Sequence, residues 1–440
     1  MEDYNALFLP AGLLLSTVFT LCVVHLNRGL RPTPFLITAV AFVVLNQIGA
    51  TLIAVGWTGD VFKDLEKAYG GTLFLHIHGT GFVFLLGAAL PCSLAWRPLH
   101  FRGEDLPSFR GGFGLGMGLL GVVALGVFAA YLAQLDRVPL FAWSATYEER
   151  ALLRDIATKQ FGATFGRYDL FMSSVLPFVS QVFLVRATER RTLLAWAAWA
   201  VFFLGSCIAL TATLQKAPIV LYIVLTILIH RRAKGEGVNA RMLLRVGIAT
   251  LILLPLTYIL LMGVRDQGIL RPLQYGLRRV LVETPYGVLF YLDTFPQHMD
   301  FLGGRGLPNP GGLFGHTQVA VARLLSDIYY PGMVARGLHG NQNTLYIMEW
   351  YASFGVTGMY GVAFVTGVVV MAASKLASAI TLRQLALPLT FFLSWQFVKL
   401  AMGEWCLVTT LLMLVFWSGL LVLCLQYRLL AAYDAVPDRA

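Results

Sequence analysis

The chain has 440 residues, of which 58% are hydrophobic and only 13% charged, and its formal net charge is +10. Ordinary soluble domains carry roughly a quarter of their residues as charges, so this composition excludes a soluble enzyme and points to a polytopic membrane protein. The positive balance is the usual cytoplasmic-loop bias of such proteins rather than a footprint for nucleic acid.

A spanning helix takes about 20 apolar residues. About eleven such runs follow one another, at 6–26, 35–57, 73–95, 113–135, 170–185, 193–210, 220–230, 243–264, 346–372, 387–400 and 407–426. The first run follows the acidic MEDYN and has no small-residue cleavage site, so it reads as a retained helix and not a signal peptide. The seventh is short for a crossing and reads as a segment that begins broken. Cys22, Cys92, Cys207, Cys406 and Cys424 all fall inside these runs without ligand-like spacing, which implies neither disulfide nor metal.

Orientation follows from the basic residues of short loops. Arg28 and Arg31, then Arg97, Arg102 and Arg110, then Arg186, Arg190 and Arg191, then Arg231, Arg232, Lys234 and Arg241, and finally Lys375 and Arg383 occupy alternate connections. Those connections are expected in the cytoplasm, and the segments 136–169 and 265–345 outside it. The chain thus divides into helices one to eight over 1–264, a large outer loop over 265–345, and helices nine to eleven over 346–440.

Loops of about 80 residues are uncommon unless functional or disordered, and this one is rich in Tyr, Phe, Leu and Gly rather than in the residues of disorder. Arg271, Tyr275, Arg278 and Arg279 fall at helical spacing opposite Leu273, Leu277, Val280 and Leu281, the pattern of a helix lying in the membrane interface. In the earlier outer loop Thr146 and Glu149 form a capping-box signal ahead of ALLRDI. The stretch 303–312, GGRGLPNPGG, reads as turns.

The large loop holds Arg265, Arg271, Arg278, Arg279, Arg305, Arg323 and Arg336 and no lysine before Asn343. Arginine binds phosphate or carboxylate with two parallel hydrogen bonds, so the cluster suits a lipid pyrophosphate. The alternative is that these side chains hold phospholipid head groups or pair with Asp266, Glu283, Asp293, Asp300 and Asp327. Lys216, in ALTATLQKAPIV, is expected at the outer membrane face, either as a functional cation or as a lysine that snorkels to the head groups. Lys399 and Glu404 in WQFVKLAMGEW are spaced to pair with each other.

His76 and His78 point to different helix faces and do not form a metal site. His298, His316 and His339 are outer-loop residues, and His339 lies closest to a helix start, where an imidazole can take a proton from a hydroxyl. Asn341 and Asn343 either bind a sugar through their amides or cap the following helix. No phosphate-cradling glycine motif and no nucleophile elbow occur. Any activated donor is therefore lipid-borne.

Three stretches resemble the bacterial oligosaccharide repeat-unit polymerases, the O-antigen (Wzy-type) polymerase family, relatives of the O-antigen ligases. They are LTATLQKAPIV, VLFYLDTFPQHMDFLGGRGLPNP and HGNQNTLYIMEWYASFGVTGMYG. Ligases show His-x-His-Asn before the leucine of the last stretch, and here that register reads Gly340, Asn341, Gln342, Asn343, which favours a polymerase. The resemblance implies an all-helical, GT-C-like, metal-independent glycosyltransferase of the bacterial inner membrane, without cofactor and with its site facing the periplasm. Undecaprenyl-pyrophosphate-linked oligosaccharides would be donor and acceptor, and a chain-length regulator a further partner. In that setting His339, Arg278 and Arg279 would be catalytic, and Lys216, Arg265, Arg271, Tyr275, Arg305, Asn341 and Asn343 would bind substrate. A ligase-like transferase and a transporter of lipid-linked sugars are the alternatives.

Overall fold

The computed structural model describes residues 2–30, 32–57, 62–93, 112–142, 147–159, 168–212, 214, 216–236, 277–309, 315–337, 340–342, 344–379 and 383–402, with isolated positions between 241 and 274. Among these residues every regular element is helical, the form that satisfies backbone groups inside a bilayer. Seven helices are long and apolar enough to cross a membrane. They are α1 (Glu2–Leu26), α2 (Pro34–Ala54), α3 (Lys63–Ser93), α4 (Gly112–Ala133), α6 (Leu170–Arg190), α7 (Leu193–Thr211) and α11 (Ile347–Ala379). Between and after them come α5 (Tyr147–Lys159), α8 (Lys216–Ala233), α9 (Thr284–Thr294), α10 (Val321–Tyr329) and α12 (Arg383–Met402). The expected spans 243–264 and 407–426 fall outside the described residues, isolated positions apart.

Local chemistry sets the boundaries. The Thr33 hydroxyl accepts from the Leu36 N–H at 3.2 Å with Pro34 next to it, and Thr192 accepts from Ala195 at 3.3 Å, so each begins a helix by satisfying an orphan donor. Arg191 ends α6 in the left-handed conformation, and α7 turns back against it. Helix α8 runs unbroken for 18 residues from Lys216, so the short seventh run is only the apolar part of a continuous helix.

Contacts sort the helix termini into two ends. At one, the Arg232 guanidinium donates to the Pro32 carbonyl at 3.0 Å, Lys375 donates to Pro91, and Cys92 approaches the Leu26 carbonyl. This basic end gathers the connections that carry Arg28, Arg190, Arg191, Arg231, Arg232 and Lys375. The opposite end carries the start of α3 and the helices α9 and α10. Helix α6 is central, with 83% of its apolar stretch buried, whereas α1 (17%) and α7 (22%) face outward on the rim. Helix α12 packs against α2, α6, α8 and α11 and so joins the two sides of the bundle.

The most extensive contact is between α3 and α11, which run in parallel. Glycine permits it. A Cβ on Gly87 would stand 2.0 Å from the Phe364 carbonyl oxygen, and one on Gly367 would stand 2.0 Å from that of Phe84.

Helix α11 is not the single crossing that the apolar run 346–372 suggests. Gly355 has φ 67° and ψ −155°, a region open essentially to glycine alone, and there the chain reverses. A Cβ on Gly358 would meet the Trp350 carbonyl oxygen at 2.7 Å, and Tyr346 and Ile347 line one small cavity with Ala363 and Thr366. The short arm 347–354 therefore lies antiparallel to the long arm 356–379. At 1.5 Å per residue, Thr366 is about 16 Å below the turn, so the stretch leading to Tyr346 begins its helix at membrane depth.

The reversal leaves carbonyls without helical partners. They are met by the preceding loop, where the Leu302 N–H donates to Ala352 O at 2.9 Å and the Gly303 N–H to Ser353 O at 3.0 Å, while the Phe301 ring covers Gly355. Replacing Gly355 by alanine is expected to cost about 1–3 kcal/mol from backbone strain. Gly367→Ala should cost a similar amount, about 1–3 kcal/mol, through overpacking. Gly361→Ala, where a Cβ meets nothing within 4 Å, should be neutral. Thermal unfolding in detergent checks all three.

Candidate functional site

Helix α9 positions the polar groups of the loop end. Pro285 occupies its first turn, where no N–H is needed, and its body from Thr284 to Leu292 is buried against α3 and α2. The last turn emerges with Asp293. The Tyr329 hydroxyl of α10 donates to the Asp293 carboxylate and shares a 3.2 Å hydrogen bond with Thr294. His298 Nε2 stands 4.0 Å from the other Asp293 oxygen. Tyr69 of α3 donates to Gln297 at 3.0 Å and lies within range of the Asp293 charge.

Aromatic rings pack around this polar cluster at the loop end. Phe290 and Tyr329 stack at 4.2 Å with 15° between planes, and Phe62 meets Phe290, Tyr329 and Tyr330 edge-on. Burial pushes the Tyr329 phenol up, and Asp293 pushes it further, so it remains a neutral donor at physiological pH. Beside it, burial and then the Glu66 carboxylate raise the Tyr286 phenol, while burial and Glu283 raise that of Tyr330; Arg278 opposes both shifts. Exposed Arg278 is thus a cation within electrostatic range of Tyr286 and Tyr330. Flat aromatic faces, a carboxylate, an imidazole and an amide suit a hydroxyl-rich ligand, and the guanidinium suits an anion.

The other residues expected from sequence are placed as follows. Arg279 opens a π turn, Arg279–Glu283, directly before α9, and Lys216 opens α8 at the loop end. Arg305 is exposed, and its Nε donates to the Leu302 carbonyl in its own turn at 3.2 Å. Arg323 pairs with Asp327 at 4.0 Å, and Arg336 donates to Gly332. The arginines described on 302–337 are therefore engaged locally, and of the expected platform Arg278 alone, among the described side chains, is placed beside this cluster. Asn341 is exposed, and the next residue, Gln342, is anchored through its N–H to Ala322 O at 2.9 Å. Arg265, Arg271, Tyr275, His339, Asn343 and Glu404 lie outside the described residues.

Two histidines behave as their spacing requires. His76 Nδ1 meets the Tyr360 hydroxyl and His78 Nε2 meets Thr51, each at 3.3 Å on separate faces of α3. Lys399 has a neighbour that its own helix does not supply. It is buried, lies 5.3 Å from the centroid of the Trp395 ring, and interacts with the Asp169 carboxylate that precedes α6. Tertiary packing of α12 on α6 supplies this partner, with Gln396 donating to Ser174 at 3.2 Å one turn away; local spacing along α12 does not reveal it.

From sequence Asp293 stood only as an arginine partner, and Tyr329, Tyr69 and Glu66 were passed over, because they come from separate segments that only the fold unites. Glu349 carried its own signal: a carboxylate inside an apolar run is a functional residue by default. Compared with protein-family models, with curated proteins and with solved structures, the chain matches none. Its function is therefore argued from the site.

Asp169→Asn and Lys399→Met are each expected to destabilise the protein, and the double variant by clearly less than their sum, because each charge supports the other. A double-mutant cycle of detergent unfolding measures the coupling.

Proposed function

We propose that this chain is a glycosyltransferase of the bacterial inner membrane that polymerises undecaprenyl-pyrophosphate-linked oligosaccharide repeat units into O-antigen or exopolysaccharide. The observation that carries the reading is the carboxylate-bearing polar cluster of Asp293 and Tyr329, with exposed Arg278 in electrostatic range of the neighbouring phenols, set at the end opposite the basic connections. With the basic end in the cytoplasm, that cluster faces the periplasm, where lipid-linked sugars need no nucleotide. The three sequence stretches that resemble the polymerases contribute the start of α8, the cluster itself and the folded-back α11.

In the reaction, the acceptor hydroxyl oxygen bonds to the anomeric carbon of the donor sugar as the bond from that carbon to the lipid pyrophosphate breaks. The hydroxyl proton passes to a base, and negative charge develops on the departing diphosphate. A fixed guanidinium in a site poor in water stabilises that charge as it forms. Arg278 is the described side chain in position to do so, and Arg279 follows it in the chain.

One observation favours a second reading, a transporter of lipid-linked sugars. The short arm of α11 starts at membrane depth, as discontinuous helices of transporters do. Purified protein in liposomes with a lipid-linked repeat unit separates the two. A ladder of longer glycans is expected, reduced on the order of 100-fold by Arg278→Ala combined with Arg279→Ala. Transfer of labelled lipid between leaflets without chain extension would select the transporter. Product released onto a different lipid acceptor would select a ligase-like transferase.

A further inference from the structure

The short arm of α11 concentrates polar atoms whose hydrogen-bonding capacity is unused. Thr344 Oγ1, Glu349 Oε2, Trp350 Nε1 and Ser353 Oγ are buried without a hydrogen-bond partner among the described residues, and the Tyr291 hydroxyl of α9 is in the same condition. Tyr291 is 0% exposed and Ser353 1%, so bulk water does not serve them. An unpaired buried donor or acceptor costs about 1–3 kcal/mol. Several on one arm mark a surface built for a ligand that supplies hydrogen bonds.

Only one of these groups is a base. Glu349 is half-buried, with one oxygen sealed and the residue still reachable, and it occupies the first turn of the arm, where the helix dipole favours the carboxylate. The Tyr291 phenol lies within range of its charge. Tyr291 and Tyr286, the neighbour of Arg278, sit on the same rigid helix about 7.5 Å apart along its axis. The carboxylate of the loop-end cluster is occupied by contrast: Asp293 accepts from Tyr329 and faces His298.

Resting on the glycosyltransferase reading above, we propose that Glu349 is the catalytic base, taking the proton from the attacking hydroxyl of the acceptor sugar, with Tyr291 as the positioning residue beside it. The proton moves from the acceptor oxygen to Glu349 Oε1, the oxygen that is not sealed, while the acceptor oxygen bonds to the anomeric carbon. The electron pair of the breaking carbon–oxygen bond leaves with the lipid diphosphate. Glu349 then returns the proton to solvent.

The test is steady-state polymerisation by reconstituted full-length protein with a lipid-linked repeat unit. Glu349→Gln, nearly isosteric, should lower kcat on the order of 100-fold or more, with KM for the repeat unit little changed. Glu349→Asp should retain an intermediate rate, and added formate should restore part of the activity of Glu349→Ala, which a structural role would not allow. Wild-type turnover in Glu349→Gln overturns the assignment. So does a Glu349→Ala loss that formate leaves unrecovered while Glu349→Asp is as inactive as the glutamine variant. If the glutamine variant does not fold, the aspartate and formate results decide. A wild-type protein that makes no ladder removes the glycosyltransferase reading, and this assignment with it, whereas a ladder indifferent to Glu349→Gln removes this assignment alone.

Discussion

The architecture of the loop end depends on the reversal at Gly355. An L-residue is strained at φ 67° and ψ −155°, so the absence of a Cβ is what lets α11 fold back. A reversal inside a membrane exposes backbone carbonyls that lipid cannot serve. Here the N–H groups of Leu302 and Gly303 serve two of them. The segment 301–306 and the hairpin tip are thus mutually dependent: the turn offers acceptors, and the loop has donors that would otherwise be orphaned. The placement of the polar stretch before Tyr346, of Glu349 and of the chain leaving α9 follows from that exchange.

The polar cluster is a consequence of the same arrangement. Tyr351 on the short arm donates to the Phe295 carbonyl at 3.0 Å, which ties the carboxyl end of α9 to the hairpin. With α9 held there, Asp293 and Tyr329 meet beside Tyr69, and Phe62 fills the space among the surrounding rings. Polar side chains gathered at a membrane end from α3, α9 and α10 are expensive to hold together unless they are mutually satisfied or serve a ligand. Asp293 and Tyr329 satisfy each other. The unsatisfied set lies deeper, on α9 and the short arm of α11, and this division separates a self-satisfied network at the loop end from unpaired polar groups below it.

Sequence made the membrane character legible because twenty-residue apolar runs and alternating basic loops are long, repetitive signals. The helix after Thr146 and the separate faces of His76 and His78 were legible for the same reason, since each depends on spacing within one segment. The hairpin in α11 was not. An apolar run of that length has the composition of a single crossing, and only the non-helical angles of Gly355 divide it. Likewise the Asp169 charge that reaches Lys399 comes from more than two hundred residues away, because α12 packs on α6, whereas Glu404 lies outside the described residues. Arginine count says nothing of local contacts, and Arg305, Arg323 and Arg336 each make one within their own loop, while Arg265 and Arg271 lie outside the described residues.

The same contacts weigh the two functional readings against each other. Alternating access needs one group of helices to rock against another around the site. In this bundle the hairpin is fixed on two sides. Its long arm meets α3 backbone to backbone at Gly87 and Gly367, so sliding would drive carbonyls together, and its tip is tied to the 301–306 loop by paired main-chain bonds. Moving it would break both sets at once inside a medium that offers no replacement partners. A held half-helix that presents a carboxylate at depth suits chemistry on a bound sugar, which gains from groups fixed in advance of the reaction. On the glycosyltransferase proposal, the broken helix that transporters use to move would instead hold Glu349 still.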